Sequence, residues 1–217
     1  MLKKITVVLT VLLLGSATLA SPAKWAGEIT ALVKNDATSP PPANAVVFVG
    51  SSSIVRWDSL AQNFPAVKTI NRGFGGSYLA DSVFYADRIV IPYKPRIVVV
   101  YAGDNDLNDG KSPTTVAEQF VAFRTKIHAA LPDTRIVFIA IKPSPARWEI
   151  REKAIKANKL IAADCATDKQ RLAFANIWPA MLGADGQPRP ELYVEDKLHL
   201  SPAGYAVWTP LIAPLLK

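Results

Sequence analysis

The chain has 217 residues, half of them hydrophobic and a fifth charged, with a formal net charge of +7. That is enough apolar material for one domain with a substantial core. The basic residues are scattered, which argues against a nucleic-acid stripe or a polybasic membrane patch, and a lone cysteine, Cys165, leaves no internal disulfide.

The chain opens with Lys3 and Lys4, an apolar stretch over 5–14 and small residues over 15–20. This is the pattern of a signal peptide, residues 1–20, cleaved after Ala20 or after Ala23. The stretch is shorter than the ~20 residues of a spanning helix. The expectation is export to the periplasm or the medium, with residues 21–217 as a single domain and no stable membrane anchor after cleavage.

Beyond it, residues 23–33 have the pattern of an amphipathic helix ending before Asp36, and the proline run 40–42 is a stiff connector. Apolar, strand-like runs follow at 45–49, 67–70, 97–101, 136–141 and 172–177. Helical patterns lie between them at 54–63, 79–89, 114–131 and 146–166. Ser201-Pro202 has the N-cap and first-turn residues of a last helix. Cys165 falls on a helical pattern as a small buried hydrophobe. His128, near the end of another, reads as a surface histidine.

Strands that are apolar throughout and alternate with helices predict an α/β fold, a parallel sheet of about five strands covered on both faces. Ligands of such sheets bind at the carboxyl ends of the strands. Three polar motifs would meet there: Gly50-Ser51-Ser52-Ser53, Asn71-Arg72-Gly73-Phe74-Gly75-Gly76, and Gly103-Asp104-Asn105-Asp106. The serine tract would place a hydroxyl on a rigid turn, as a nucleophile requires, although serine is also a common cap; spacing does not choose among the three. A serine nucleophile needs a base and a carboxylate to orient it. His199, three residues after Asp196 in the loop before the last helix, supplies both. A developing oxyanion would find donors in the nucleophile's own N–H, a glycine N–H of the second motif and the Asn105 amide.

These four blocks, in this order and over essentially all of the mature chain, resemble the SGNH hydrolases, also called GDSL-type esterases and lipases. The resemblance implies a three-layer, flavodoxin-like fold. It implies Ser52 as nucleophile, Asp196 and His199 as its partners, and Ser52, Gly76 and Asn105 as the oxyanion hole. It implies neither cofactor nor metal. Ser51 departs from the family, where many members have Asp, although a serine-rich version with Ile54 and Trp57 nearby is also similar to known members. The remaining serines, 51 and 53, read as turn and capping residues.

Competing motifs fail. The third glycine of a dinucleotide loop starting at Gly73 would fall on Tyr78, and a calcium loop starting at Asp104 has its glycine one place late. Ile54 replaces the last glycine of a G-x-S-x-G elbow, and two distant histidines with one cysteine give no zinc spacing. The activity expected is an ester hydrolase acting on a small-molecule, glycan or lipid ester through an acyl-enzyme on Ser52. An O-acyltransferase using the same triad and a catalytically silent binding module are the alternatives. Lys142-Pro143-Ser144-Pro145 should reach the same sheet edge, and Arg72, Phe74, Tyr78 and Trp148 are candidates to line the pocket. Oligomeric state is not legible.

Overall fold

The computed structural model describes residues 22–217, so the expected signal segment lies outside the described residues. Five parallel strands form one sheet: β1 (Val46–Gly50), β2 (Thr69–Gly73), β3 (Ile97–Tyr101), β4 (Arg135–Ile139) and β5 (Leu172–Ala175). Their order is β2-β1-β3-β4-β5, the flavodoxin-like arrangement.

Parallel neighbours need crossovers, and helices supply them. Helix α1 (Pro22–Thr38) precedes the sheet, and α2 (Ser52–Val55) and α3 (Leu60–Asn63) join β1 to β2. α4 (Leu79–Ile89) leads to β3; α5 (Asp104–Asn108) and α6 (Pro113–Ala130) lead to β4; α7 (Arg151–Ala166) leads to β5. α8 (Pro202–Ile212) closes the chain, with the Ser201 side chain accepting from Gly204 N–H at its start.

Alternate strand residues face opposite layers. Val47, Val49, Val98 and Val100 pack on one side with Ile29 of α1, Ile89 of α4, Phe120 and Phe123 of α6 and Ile161 of α7. Val46, Phe48, Val99 and Tyr101 pack on the other with Trp57, Tyr205 and Trp208. Both central strands, β1 and β3, are buried along their whole length, which is why they read as unbroken apolar runs.

Several expected boundaries shift for identifiable reasons. The helix expected over 54–63 breaks into α2 and α3 because Trp57 turns into the core against Phe48, Phe64, Tyr205 and Trp208. α1 continues through Asp36, whose carboxylate pairs with Arg72 and takes the Tyr93 hydroxyl, and stops before Pro40. The segment before α7 is a 3₁₀ stretch, Pro145–Ile150, kinked at Arg147 (φ −125°). β2 runs on to Gly73, in register with Gly50. His128 is not a free surface group: it is half-buried, its Nε2 lies 3.0 Å from the Thr134 carbonyl, and burial lowers its pKa. Cys165 is buried as expected, and burial pushes its thiol up to about 12.

Candidate active site

β1 and β3 lie side by side, yet the chain leaves β1 for β2 and comes back to β3 by a crossover. The connections after these two strands therefore diverge, which opens a crevice at their carboxyl ends. Gly50 ends β1 at φ 135°, so close to β3 that a Cβ would stand 1.9 Å from the Tyr101 carbonyl oxygen. Only glycine fits there. Ser51 N–H donates to that same oxygen at 2.9 Å, which carries the ladder one residue past the strand. Ser52 then opens α2, where a first-turn N–H has no acceptor within the helix. The turn is held from below: Trp57 stacks on Tyr205 at 4.8 Å, and the Tyr205 hydroxyl donates to the Ser53 carbonyl at 2.9 Å.

The partners of Ser52 come from the loop before α8, 147 residues away in sequence. His199 Nε2 lies 3.0 Å from Ser52 Oγ, and His199 Nδ1 lies 2.5 Å from Asp196 Oδ2. The other oxygen of Asp196 accepts the backbone N–H groups of Leu198 at 2.9 Å and His199 at 2.8 Å. Desolvation raises the pKa of this carboxyl, but the imidazole and the two N–H donors outweigh it and hold the group well below the usual carboxylate range. The Asp196 carboxylate is thus ionised and fixed on the His199 imidazole. Ser52, His199 and Asp196 form the hydrogen-bonded chain expected of them.

Asn105 sits just past β3 in the first turn of α5. Its Nδ2 donates to Ser51 Oγ at 2.8 Å and to the Ser77 carbonyl at 3.0 Å, and its Oδ1 accepts from Arg147 Nη2 at 2.9 Å. A guanidinium only donates and a carbonyl only accepts, so the two ends of the amide cannot be exchanged. Ser51 is therefore more than a cap. Its side chain makes no capping bond on α2; its hydroxyl holds Asn105.

The flanking carboxylates are occupied by cations. Asp104 is paired with Lys142 Nζ and with Arg147 Nη1, each at 3.1 Å. Burial alone would raise the pKa of Asp104, but the two cations lower it overall. Asp106 takes Lys111 at 2.9 Å and Leu79 N–H at 3.1 Å.

Ser52, Gly75, Gly76, Asn105 and His199 line one open cleft of about 510 Å³, with Glu28, Val55, Arg56, Arg147 and Leu198 completing the wall. Gly76 is exposed and adopts φ 72°. The expected lining residues are elsewhere. Arg72 is buried on Asp36 and Tyr93, Phe74 is in the core, Tyr78 bonds Asp109, and Trp148 stacks on Trp178. The loop after β4 does reach the cleft, but through Arg147. The signal for Arg147 is its place just after Lys142-Pro143-Ser144-Pro145, one residue before Trp148.

The sequence pattern of the GDSL-like Lipase/Acylhydrolase family matches residues 38–207. The chain belongs to this family. Its match spans all four motif blocks, so at the level of the family this GDSL-like protein is an ester hydrolase. No curated protein matches it. Solved structures share its fold. A protein from Streptococcus pneumonia whose description names platelet activating factor superposes with a TM-score of 0.78 at 21% identity, covering 90% of this chain and 94% of its own. A GDSL-like lipase from Bacteroides thetaiotaomicron gives 0.69 at 22% identity, covering 90% and 97%. A carbohydrate esterase family 3 protein from Talaromyces cellulolyticus gives 0.63 at 17%, covering 79% and 96%. At such identities the likeness is one of fold.

Proposed function

We propose that this chain is an exported serine ester hydrolase that works through an acyl-enzyme on Ser52. The observation that carries the reading is the continuous hydrogen-bonded chain from Ser52 Oγ through His199 to Asp196. His199 Nε2 takes the Ser52 proton as Oγ bonds the ester carbonyl carbon. The oxygen of the tetrahedral intermediate is held by the Ser52 and Gly76 N–H groups and by the Asn105 N–H that otherwise rests on Ser51 Oγ. Collapse breaks the bond to the alcohol, which leaves with the proton from His199. Water, activated by the same imidazole, then attacks the acyl carbon and releases the acid. Asp196 stays charged and steadies the imidazolium. The chemistry requires no cofactor.

The mouth of the cleft is open and carries Glu28, Arg56 and Arg147 beside Val55 and Leu198. That mixture suits a short acyl group on a polar alcohol better than a long chain, which would need a continuous apolar channel. A carbohydrate esterase of the same fold is in keeping with this. Export rests on the pattern of residues 1–20 and would bring the protein to acylated glycans, lipids or small esters outside the cytoplasm.

The test is a set of chromogenic esters of increasing acyl length, assayed with the wild type and Ser52→Ala. Turnover that falls with chain length and vanishes in the variant is expected. Wild-type turnover in Ser52→Ala would overturn the assignment. Transfer of the acyl group to an added sugar in preference to water would favour the acyltransferase. A folded protein that no fluorophosphonate labels at Ser52 would favour the silent binding module.

A further inference from the structure

Arg147 belongs to none of the four motif blocks, yet it contacts two residues of the third block, Asp104 and Asn105. Its Nη2 donates to Asn105 Oδ1 at 2.9 Å and its Nη1 pairs with Asp104 Oδ2 at 3.1 Å. One guanidinium thus donates a hydrogen bond to Asn105 with one nitrogen and stands in ion-pair range of Asp104 with the other, a planar two-point reach that a lysine ammonium does not reproduce. The same Asp104 oxygen also takes Lys142, whose side chain is buried and also donates to the Tyr101 hydroxyl at 3.0 Å.

The segment that carries Arg147 is fixed to the other half of the site. Ala146 N–H donates to the Lys197 carbonyl at 3.1 Å, and the Tyr193 hydroxyl donates to the Pro143 carbonyl. Lys197 lies between Asp196 and His199. The loop after β4 therefore holds the turn between Asp196 and His199 with its backbone and the Asn105 amide with its arginine.

Resting on the esterase reading above, we propose that Arg147 is a positioning residue for the oxyanion hole, acting through Asn105. The amide is held at three points: Arg147 at Oδ1, the Ser77 carbonyl on one N–H and Ser51 Oγ on the other. Of these, only the Ser51 hydroxyl can rotate away and leave a hydrogen free. With Arg147 and Ser77 in place, the amide keeps its orientation while that hydrogen is exchanged from Ser51 to the carbonyl oxygen of a substrate. Without Arg147 the amide can pivot or flip, and the donor is lost for part of the time.

A double-mutant cycle tests this. Arg147→Ala, Asn105→Ala and the double variant are assayed in the full chain with p-nitrophenyl acetate, beside wild type and Ser52→Ala. Asp104 keeps Lys142 in Arg147→Ala, so the variant should fold, and a thermal melt checks it. The expected result is a kcat about 10- to 100-fold lower with KM changed less than about threefold. In the Asn105→Ala background the same change should cost less than about threefold, since the residue it acts through is gone.

Arg147→Lys keeps the charge without the fork and should remain closer to Arg147→Ala than to wild type. It also serves as the second variant should Arg147→Ala not fold. Losses that multiply in the double variant would overturn the proposal. So would a raised KM at unchanged kcat, which would mean that Arg147 binds substrate directly. Turnover that does not depend on Ser52 is a separate outcome: it would overturn the esterase reading, and this proposal with it.

Discussion

The Ser51 hydroxyl accepts a hydrogen bond from the Asn105 side-chain amide at 2.8 Å. The two residues stand just past the ends of neighbouring strands, and the contact ties the serine turn to the β3 motif. It also separates two consecutive serines by role: Ser52 Oγ faces His199, whereas Ser51 Oγ faces Asn105. Ser51→Ala removes a contact and leaves the triad intact, so kcat should change by less than about tenfold. Asn105→Ala removes the donor itself and should lower kcat by about 10²–10³ in a folded protein. Steady-state kinetics on one ester, with circular dichroism as the folding control, compares the two.

The pH–rate profile should report one group on its acid side. His199 must be neutral to accept the Ser52 proton. Asp196 adds no second step there, because its pKa is depressed and it stays ionised through that range. For stability, a depressed carboxyl contributes above its unfolded value of about 3.9 and loses that contribution as pH falls through the folded value. The Asp196 side chain is 43% exposed, so solvent screens the gain, and its mutation should show in rate more than in melting temperature. Asp196→Asn should lower kcat by about 10³–10⁴. Two ionisations on the acid limb of kcat/KM would contradict this.

Loss of Asp104, in contrast, should show in stability. Its partner Lys142 is only 1% exposed and would lose its carboxylate in Asp104→Ala, keeping the Tyr101 hydroxyl alone. An uncompensated buried charge costs about 3–5 kcal/mol, so this variant should show a markedly lower midpoint in urea unfolding. The depressed pKa of Asp104 has the same sign as that of Asp196. Its stabilisation is present above about 3.9 and is lost as pH falls through the lower folded value. The midpoint of Asp104→Ala should therefore differ most from wild type near neutrality and converge with it in strong acid.

Gly50 and Gly76 both have positive φ, but their surroundings differ. A Cβ on Gly50 would meet the Tyr101 carbonyl at 1.9 Å, whereas a Cβ on Gly76 would meet nothing nearer than 3.5 Å, a ring carbon of Trp25. Gly50→Ala should fail to fold or lose most of its stability. Gly76→Ala should fold, at a cost of about 1–2 kcal/mol for the left-handed backbone. Its activity should drop further than its stability, because the strain falls on a backbone N–H assigned to the oxyanion. Thermal melts and kinetics on the same preparations check both statements.

Much of this was legible in the sequence because it depends on local pattern. The strands announce themselves as apolar runs since both faces of β1 and β3 are buried, and α4 begins and ends at the residues its pattern indicates. His199 and Asp196 could be paired because they are close in sequence. What escaped was set by tertiary packing. Trp57 breaks a helical pattern because an aromatic pocket formed by Phe48, Phe64, Tyr205 and Trp208 takes its ring. Arg72 and Phe74 stand beside the glycines of the second block but face inward, since β2 extends to Gly73 and turns them into the sheet. Arg147 reaches the cleft because its 3₁₀ segment kinks, which no periodicity signals.

The hydrogen bonds from Leu198 and His199 amides to Asp196 have a consequence for motion. The carboxylate is clasped by the same short turn that bears the imidazole, so the two would travel as a unit whenever that turn breathes. Ser52, in contrast, follows an amide that is part of the central sheet ladder. In hydrogen exchange, the Ser51 amide should persist as long as the sheet does, while the amides of Leu198 and His199 exchange far sooner.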